Sequence, residues 1–143
     1  MSVSRILETK GRAVITVEPG HSLIEAGRLL AEHRIGAVVV CGPDRRVEGI
    51  LSERDIVRAV AKGGGGALAD KVADHMTTRV ITCTAAMSMN QVMEIMTSGK
   101  FRHLPVVENG RLDGMISIGD VVKNRLAQLE YESQTLREYI GAS

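Results

Sequence analysis

The chain has 143 residues, 44% hydrophobic and 24% charged, which suits one domain with a buried core and excludes wholesale disorder. Eighteen basic residues against 17 acidic ones give a net charge of +1, and aromatics are only 2%. There is thus neither an electrostatic footprint for nucleic acid nor a stacking platform for single strands, and the apolar runs are too short to span a membrane.

In chain order, the N-terminal MSVSRILETKGR carries a charge every few residues and lacks the apolar stretch of a signal peptide. Residues 14–17 form a β-branched run that Pro19-Gly20 ends in a turn. Ser22 and Glu25 have capping-box spacing, and Leu23, Ala26, Gly27 and Leu30 follow at helical spacing. Residues 36–41, the turn Gly42-Pro43-Asp44 and residues 47–51 predict a hairpin, and a helix begins near Arg54. Residues 63–66 are four glycines without the Gly-Lys-Ser/Thr of a phosphate loop, so they read as a mobile loop; a short linker helix over 68–75 follows. The series then recurs. Val14-Ile15-Thr16 returns as Val80-Ile81-Thr82 and Ser22 as Ser88, 66 positions on. After one residue is lost in a loop, Gly49, Ser52 and Asp55 return as Gly114, Ser117 and Asp120, 65 positions on. Such an ordered series predicts two copies of one β-α-β-β-α unit. We expect repeat 1 with its N-terminal segment over 1–66, a linker helix over 67–79, repeat 2 over 80–128 and a helical extension over 129–143. Neither copy is large enough to be comfortable alone, so the two should share a core.

The most informative pattern closes each copy: Gly49-Ile-Leu-Ser52-Glu-Arg-Asp55 and Gly114-Met-Ile-Ser117-Ile-Gly-Asp120. A Ser three residues before an Asp at a helix start serves structurally as a cap, with the carboxylate favoured by the helix dipole. Chemically, the same carboxylate can accept from both hydroxyls of a ribose while Ser and nearby N–H groups face phosphate. Recurrence in both copies favours the second use.

These features, together with Phe101-Arg-His-Leu-Pro-Val-Val107, resemble a cystathionine-β-synthase (CBS) domain pair over roughly residues 10–128. The resemblance implies an α+β (α/β) fold of two pseudo-two-fold-related repeats with two clefts between paired sheets. It also implies adenosine-containing ligands (AMP, ADP, ATP, S-adenosylmethionine, NAD(H)) and a regulatory role. Carried onto this chain, ribose binding falls on Asp55 and Asp120, with Ser52 and Ser117 as polar neighbours. The adenine pocket falls on Val14, Ile15, Thr16, Gly36, Ala37 and Val38, and on Val80, Ile81, Thr82 and Leu104. Clefts of this family mix the two copies, so Asp120 should face Thr16 and 36–38, and Asp55 should face Thr82 and His103.

The copies differ where phosphate chemistry is expected. Arg102-His103 stand where the first copy has Gly36-Ala37, and Arg54 stands where the second has Gly119. Arg54 and Arg102 have the planar fork suited to phosphate, or are strand-end and helix-end charges of little energetic worth; His103 is either a ligand contact or a structural residue. The sites should therefore be unequal.

Catalytic readings find little support. The four histidines show no metal-ligand spacing, and there is no Gly-x-Ser-x-Gly elbow. Cys41 and Cys83 form no Cys-x-x-Cys pair and read as small buried hydrophobes of a reducing, cytoplasmic compartment. Met93 and Met96 fit a helical core face better than a soft-metal site. Val122, Leu126, Leu129, Ser133, Leu136 and Ile140 form a heptad-like row that suits a partner subunit, and family pairs commonly form homodimers; otherwise the helix folds back on its own domain. The expected function is a stand-alone sensor of AMP, then NAD(H) or ATP, acting in trans on an effector protein and not an enzyme. The alternative is a dimerising scaffold with degenerate clefts.

Overall fold

The computed structural model describes residues 1–142; residue 143 of the expected extension lies outside the described residues. Its helices begin where short polar side chains can cap them. α1 (Val3–Lys10) starts on Ser2, α2 (Leu23–His33) on Ser22, α3 (Glu53–Gly63) on Ser52 and α4 (Met89–Gly99) on Ser88. Each of these hydroxyls accepts the N–H three residues on, which satisfies one of the orphan donors of a first turn. The reciprocal box forms at Ser88, whose N–H donates to Gln91 Oε1 at 2.9 Å. At Ser22 it does not: the Glu25 carboxylate swings instead to within 4.0 Å of His21 Nε2. α5 (Ile118–Ala142) is one continuous helix of 25 residues.

Three strands, β1 (Thr16–Val17), β2 (Ala37–Cys41) and β3 (Val47–Ser52), form one sheet in that order, with β1 parallel to β2 and β2 antiparallel to β3. β4 (His103–Glu108) and β5 (Arg111–Ser117) form the second, antiparallel sheet. The two hairpins break register at equivalent places, Val40/Cys41 and Val106/Val107. The expected opening strand at Val80-Ile81-Thr82 is absent. Its only ladder contact is the parallel bridge Cys83–Val106, where Cys83 N donates to Pro105 O and Val107 N to Cys83 O, both at 2.9 Å. The expected linker helix is also different: two 3₁₀ turns, Gly65–Ala69 and Val72–Asp74, connect the halves. The glycine run is ordered into these elements, with Gly63 ending α3 and Gly64 taking φ +72° beyond it.

The cores show how the halves are joined. One comprises Val17, Leu23, Ala26, Leu30, Val38 and Leu51 with Val72; the other comprises Cys83, Val92, Met96, Leu104 and Ile116 with Val3 and Leu7. Each half therefore receives the chain segment that leads into the other. The exchange has matching hydrogen bonds: Met89 N donates to Met1 O at 3.0 Å, and Leu23 N donates to Asp70 O at 2.9 Å. Gly49 and Gly114 make room for it. A Cβ on Gly49 would lie 2.8 Å from Met76 Sδ and from Thr77 O, and one on Gly114 would lie 2.6 Å from Leu7 Cδ2. A third cluster, Val39, Cys41 and Leu112, fills the seam between the sheets. Leu7, 1% exposed, alone supplies about 1.5–3 kcal/mol of burial to the second half. The structure thus assigns α1 to the core of repeat 2, although it precedes repeat 1 in the chain.

Candidate functional site

The two Ser/Asp corners fold alike because each joins the last strand of its sheet to a helix. Ser52 N donates to Asp55 Oδ2 at 2.8 Å and Ser52 Oγ to the same oxygen at 3.0 Å, while Asp55 N returns a bond to Ser52 Oγ at 3.3 Å. The corresponding distances at Ser117 and Asp120 are 2.8, 3.0 and 3.1 Å. Both corners are complete caps, so the structural use of these residues is realised in full. Each carboxylate spends Oδ2 on its cap. Among the described residues Asp120 Oδ1 takes no hydrogen bond, and Asp55 Oδ1 has only the Arg58 guanidinium at 3.6 Å. An acceptor thus remains for a ligand hydroxyl at each corner.

Around these equal corners the surroundings differ. Lys10, at the end of α1, crosses to the second half, where Nζ donates to Asp120 Oδ2 at 2.6 Å and to Met115 O at 2.9 Å. Two residues on, Arg12 pairs with Asp113 at 2.8 Å, so the lead-in of repeat 1 runs along β5. Burial works to raise the Asp120 pKa, but the Lys10 hydrogen bond, the Ser117 bonds and the Lys10 charge outweigh it and hold the carboxyl below its usual value. Asp55 instead lines an open pocket of about 310 Å³ with Arg58, Lys62, Asp70 and His75. His75 Nε2 lies 2.7 Å from Asp70 Oδ2 at its edge.

The sequence-derived residues divide. The register sets Ala37 opposite Ser52 and His103 opposite Ser117, so each second strand starts beside the corner of its own copy. His103 therefore sits beside Asp120, the corner of its own copy. Burial, then the Lys10 cation, push its pKa down, against the pull of Asp120. The side chain that touches Asp120 from outside its own corner is Lys10, at the end of α1. Val38 and Leu104 are 1% and 0% exposed and sit in the two cores, so their side chains are not pocket walls. Thr16, Gly36 and Ile81 are exposed, and Val14, Ile15, Ala37, Val80 and Thr82 are half-buried, leaving these positions accessible. Arg54 and Arg102 are exposed and form no ion pair among the described residues. The cations that do reach a corner are Lys10 and Arg58. Arg58 was legible as the i+3 neighbour of Asp55 on one helix face, with Lys62 four residues beyond it. Lys10 carried no local signal.

Among the described residues no cluster of three or more His, Cys, Asp or Glu side chains could hold a metal ion. No described helix is long and apolar enough to cross a membrane.

Comparison with known proteins gives concordant results. The family model of the CBS domain matches residues 4–62 and 72–127. The mitochondrial CBS domain-containing protein CBSX3 of Arabidopsis thaliana is 31% identical over 97% of this chain and 71% of its own length. A crystal structure of a CBS-domain-containing protein from Agrobacterium tumefaciens is 52% identical, covers 87% of this chain and 99% of that one, and superposes with a TM-score of 0.79. The CBS domain pair of protein MJ0100, crystallised with 5′-methylthioadenosine and S-adenosyl-L-methionine, shares the fold at a TM-score of 0.76 and 23% identity, covering 90% of this chain and 98% of that one.

Proposed function

Because this chain belongs to the CBS domain family and carries the domain as a tandem pair, we propose that it is a regulatory sensor of adenine nucleotides, with AMP the first ligand and NAD(H) or ATP next. It acts as a cytoplasmic homodimer on a separate effector protein, by binding rather than by catalysis. The observation that carries this reading is the pair of Ser/Asp corners, each with one carboxylate oxygen committed to the helix cap and the other taking no hydrogen bond among the described residues. A ribose diol needs such an acceptor, and a nearby cation suits phosphate. The adenosine compounds bound by the MJ0100 pair belong to the same ligand class.

The two sites are unequal. The Asp55 pocket offers Arg58 and Lys62 to a charged phosphate group. At Asp120 the single Lys10 ammonium is already tied to the carboxylate, so a nucleotide there must share or displace it. Signalling follows from differential affinity: ligand favours one arrangement of the two halves and shifts the equilibrium no further than that difference allows.

Thermal unfolding with AMP, ATP, NAD(H), adenosine and S-adenosylmethionine tests the reading. A ligand at a hundredfold excess over its Kd adds about 2.7 kcal/mol, which raises Tm by roughly 4–12 °C for a domain of this size. Asp55→Asn and Asp120→Asn keep an oxygen for the cap and remove the carboxylate, so each should abolish the shift from its own cleft. No shift with any adenosine compound at millimolar concentration would leave the dimerising scaffold in its place.

A further inference from the structure

α5 is held to the body on one side only. Val121 is 6% exposed, and the Asn124 amide donates to Met1 Sδ at 3.0 Å. On the opposite side Val122, Leu126, Leu129 and Leu136 remain 52, 56, 44 and 59% exposed. With Ser133 and Ile140 they follow alternating steps of four and three residues, the d and a positions of a heptad. In that register Val121 and Asn124 occupy c and f, so these body contacts lie behind the Val122–Leu136 stretch of the apolar row, whose hydrophobic side chains stay exposed.

The flanking charges indicate what covers the seam. Arg125 and Glu132 fall at g, and Glu130 and Arg137 at e. In a parallel two-stranded coil a g residue meets the e residue five positions on in the other helix. Arg125 then meets Glu130 of the second copy, and Glu132 meets Arg137 of the second copy; both pairs are opposite in charge and each occurs twice. An antiparallel pairing sets e against e and g against g, which brings Glu130 against Glu130 and Glu132 against Glu132 when these positions are centred. Within the helix Arg125 donates to Gln128 Oε1 at 3.2 Å, and no bond among the described residues joins any of the four charges to an opposite one. None has an opposite charge three or four residues away, and none forms an intrachain ion pair among the described residues.

We infer that α5 pairs in parallel with α5 of a second copy over residues 122–140, through the Val122–Leu126–Leu129–Leu136 seam and Arg125–Glu130 and Glu132–Arg137 pairs between chains. The inference rests on the homodimer reading and supplies its geometry. Both bodies then lie at one end of the coil. Ser133 at an a position, in a seam spanning only about 27 Å, makes the association reversible.

Sedimentation of the full chain between 1 and 100 µM, with charge-reversal variants, tests this. Arg125→Glu or Glu130→Arg turns two attractive contacts per dimer repulsive and should weaken dimerisation about tenfold to thirtyfold. The double variant Arg125→Glu/Glu130→Arg should return to within about threefold of the parent. Leu129→Cys should give a disulfide-linked dimer on mild oxidation, as only a parallel pairing in register brings the two thiols together; Cys41 and Cys83 are buried. A dimer indifferent to the single reversals, or a double variant as weak as the singles, overturns this geometry but leaves the homodimer standing. A monomer at 100 µM overturns both.

Discussion

Replacing Lys10 with Met removes the one charge that crosses from the first lead-in to the Asp120 corner while keeping an apolar stem of similar length. The ammonium makes two bonds, to the Asp120 carboxylate at 2.6 Å and to Met115 O at 2.9 Å, between side chains 36% and 20% exposed. Bonds to charged groups contribute about 1.5–3 kcal/mol each when dry. Solvent at this depth screens them, so Lys10→Met should cost about 1–2 kcal/mol in all. That corresponds to a fall in Tm of roughly 2–8 °C. The pH dependence provides the sharper test. The folded-state pKa of Asp120 is depressed below its ordinary 3.8, so its stabilisation is complete above pH 3.8 and lost as pH falls through the folded value. Urea titrations from pH 7 to pH 2 should therefore show a shallower acid decline in Lys10→Met than in the parent. An unchanged urea midpoint at pH 7 together with an unchanged acid slope would refute the tether.

The remaining predictions concern the exchange of lead-in segments and the cores. Gly49→Ala drives a Cβ against the backbone carbonyl of Thr77 and should cost about 2–3 kcal/mol in denaturant unfolding, whereas Gly114→Ala meets only the Leu7 side chain and should cost about 1–2 kcal/mol. Leu7→Ala should cost about 2–5 kcal/mol and, in hydrogen exchange, lower protection in β4 and β5 more than in β2 and β3. Burial raises the Cys83 thiol to about 11, and that of Cys41 is raised by burial as well, so iodoacetamide at pH 8 should label the native protein far more slowly than the urea-unfolded chain. Because the folded state keeps the Cys83 thiol protonated, stability should fall as pH rises above 9.0 toward 11.

Much of the fold was legible because its signals are local. Ser22 and Ser88 mark helix starts, the Gly42-Pro43-Asp44 and Asn109-Gly110 turns mark hairpins, and the offset of 66 then 65 residues joins the elements into two copies. The failures are non-local. Val80-Ile81-Thr82 has strand composition, yet only Cys83 beside it gains a ladder contact, so β propensity had no partner strand to act through. The paired glycines Gly49 and Gly114 were visible as a repeat, but their reason lies in Met76 and Leu7, each contributed by the lead-in to the other half. Val38, Val39 and Val40 are all buried because the strand is covered on both faces, which removes the alternation that would have separated pocket from core.

The candidate site follows the same division. Ser52, Asp55, Ser117 and Asp120 form a motif whose whole geometry spans four residues, so their positions could be read from spacing alone. The residues that make the corners unequal could not be found that way. Lys10 lies 110 positions from Asp120, and it arrives only because α1 docks on the second core through Val3 and Leu7. Arg58 reaches Asp55 from within the same helix, at 3.6 Å and with its own side chain 65% exposed. One corner is thus tied to a segment far away in sequence that docks on its own core, and the other is served from within its own helix. On the proposed reading, a ligand at Asp120 must compete with the contact that pins this lead-in, whereas one at Asp55 meets only the exposed Arg58.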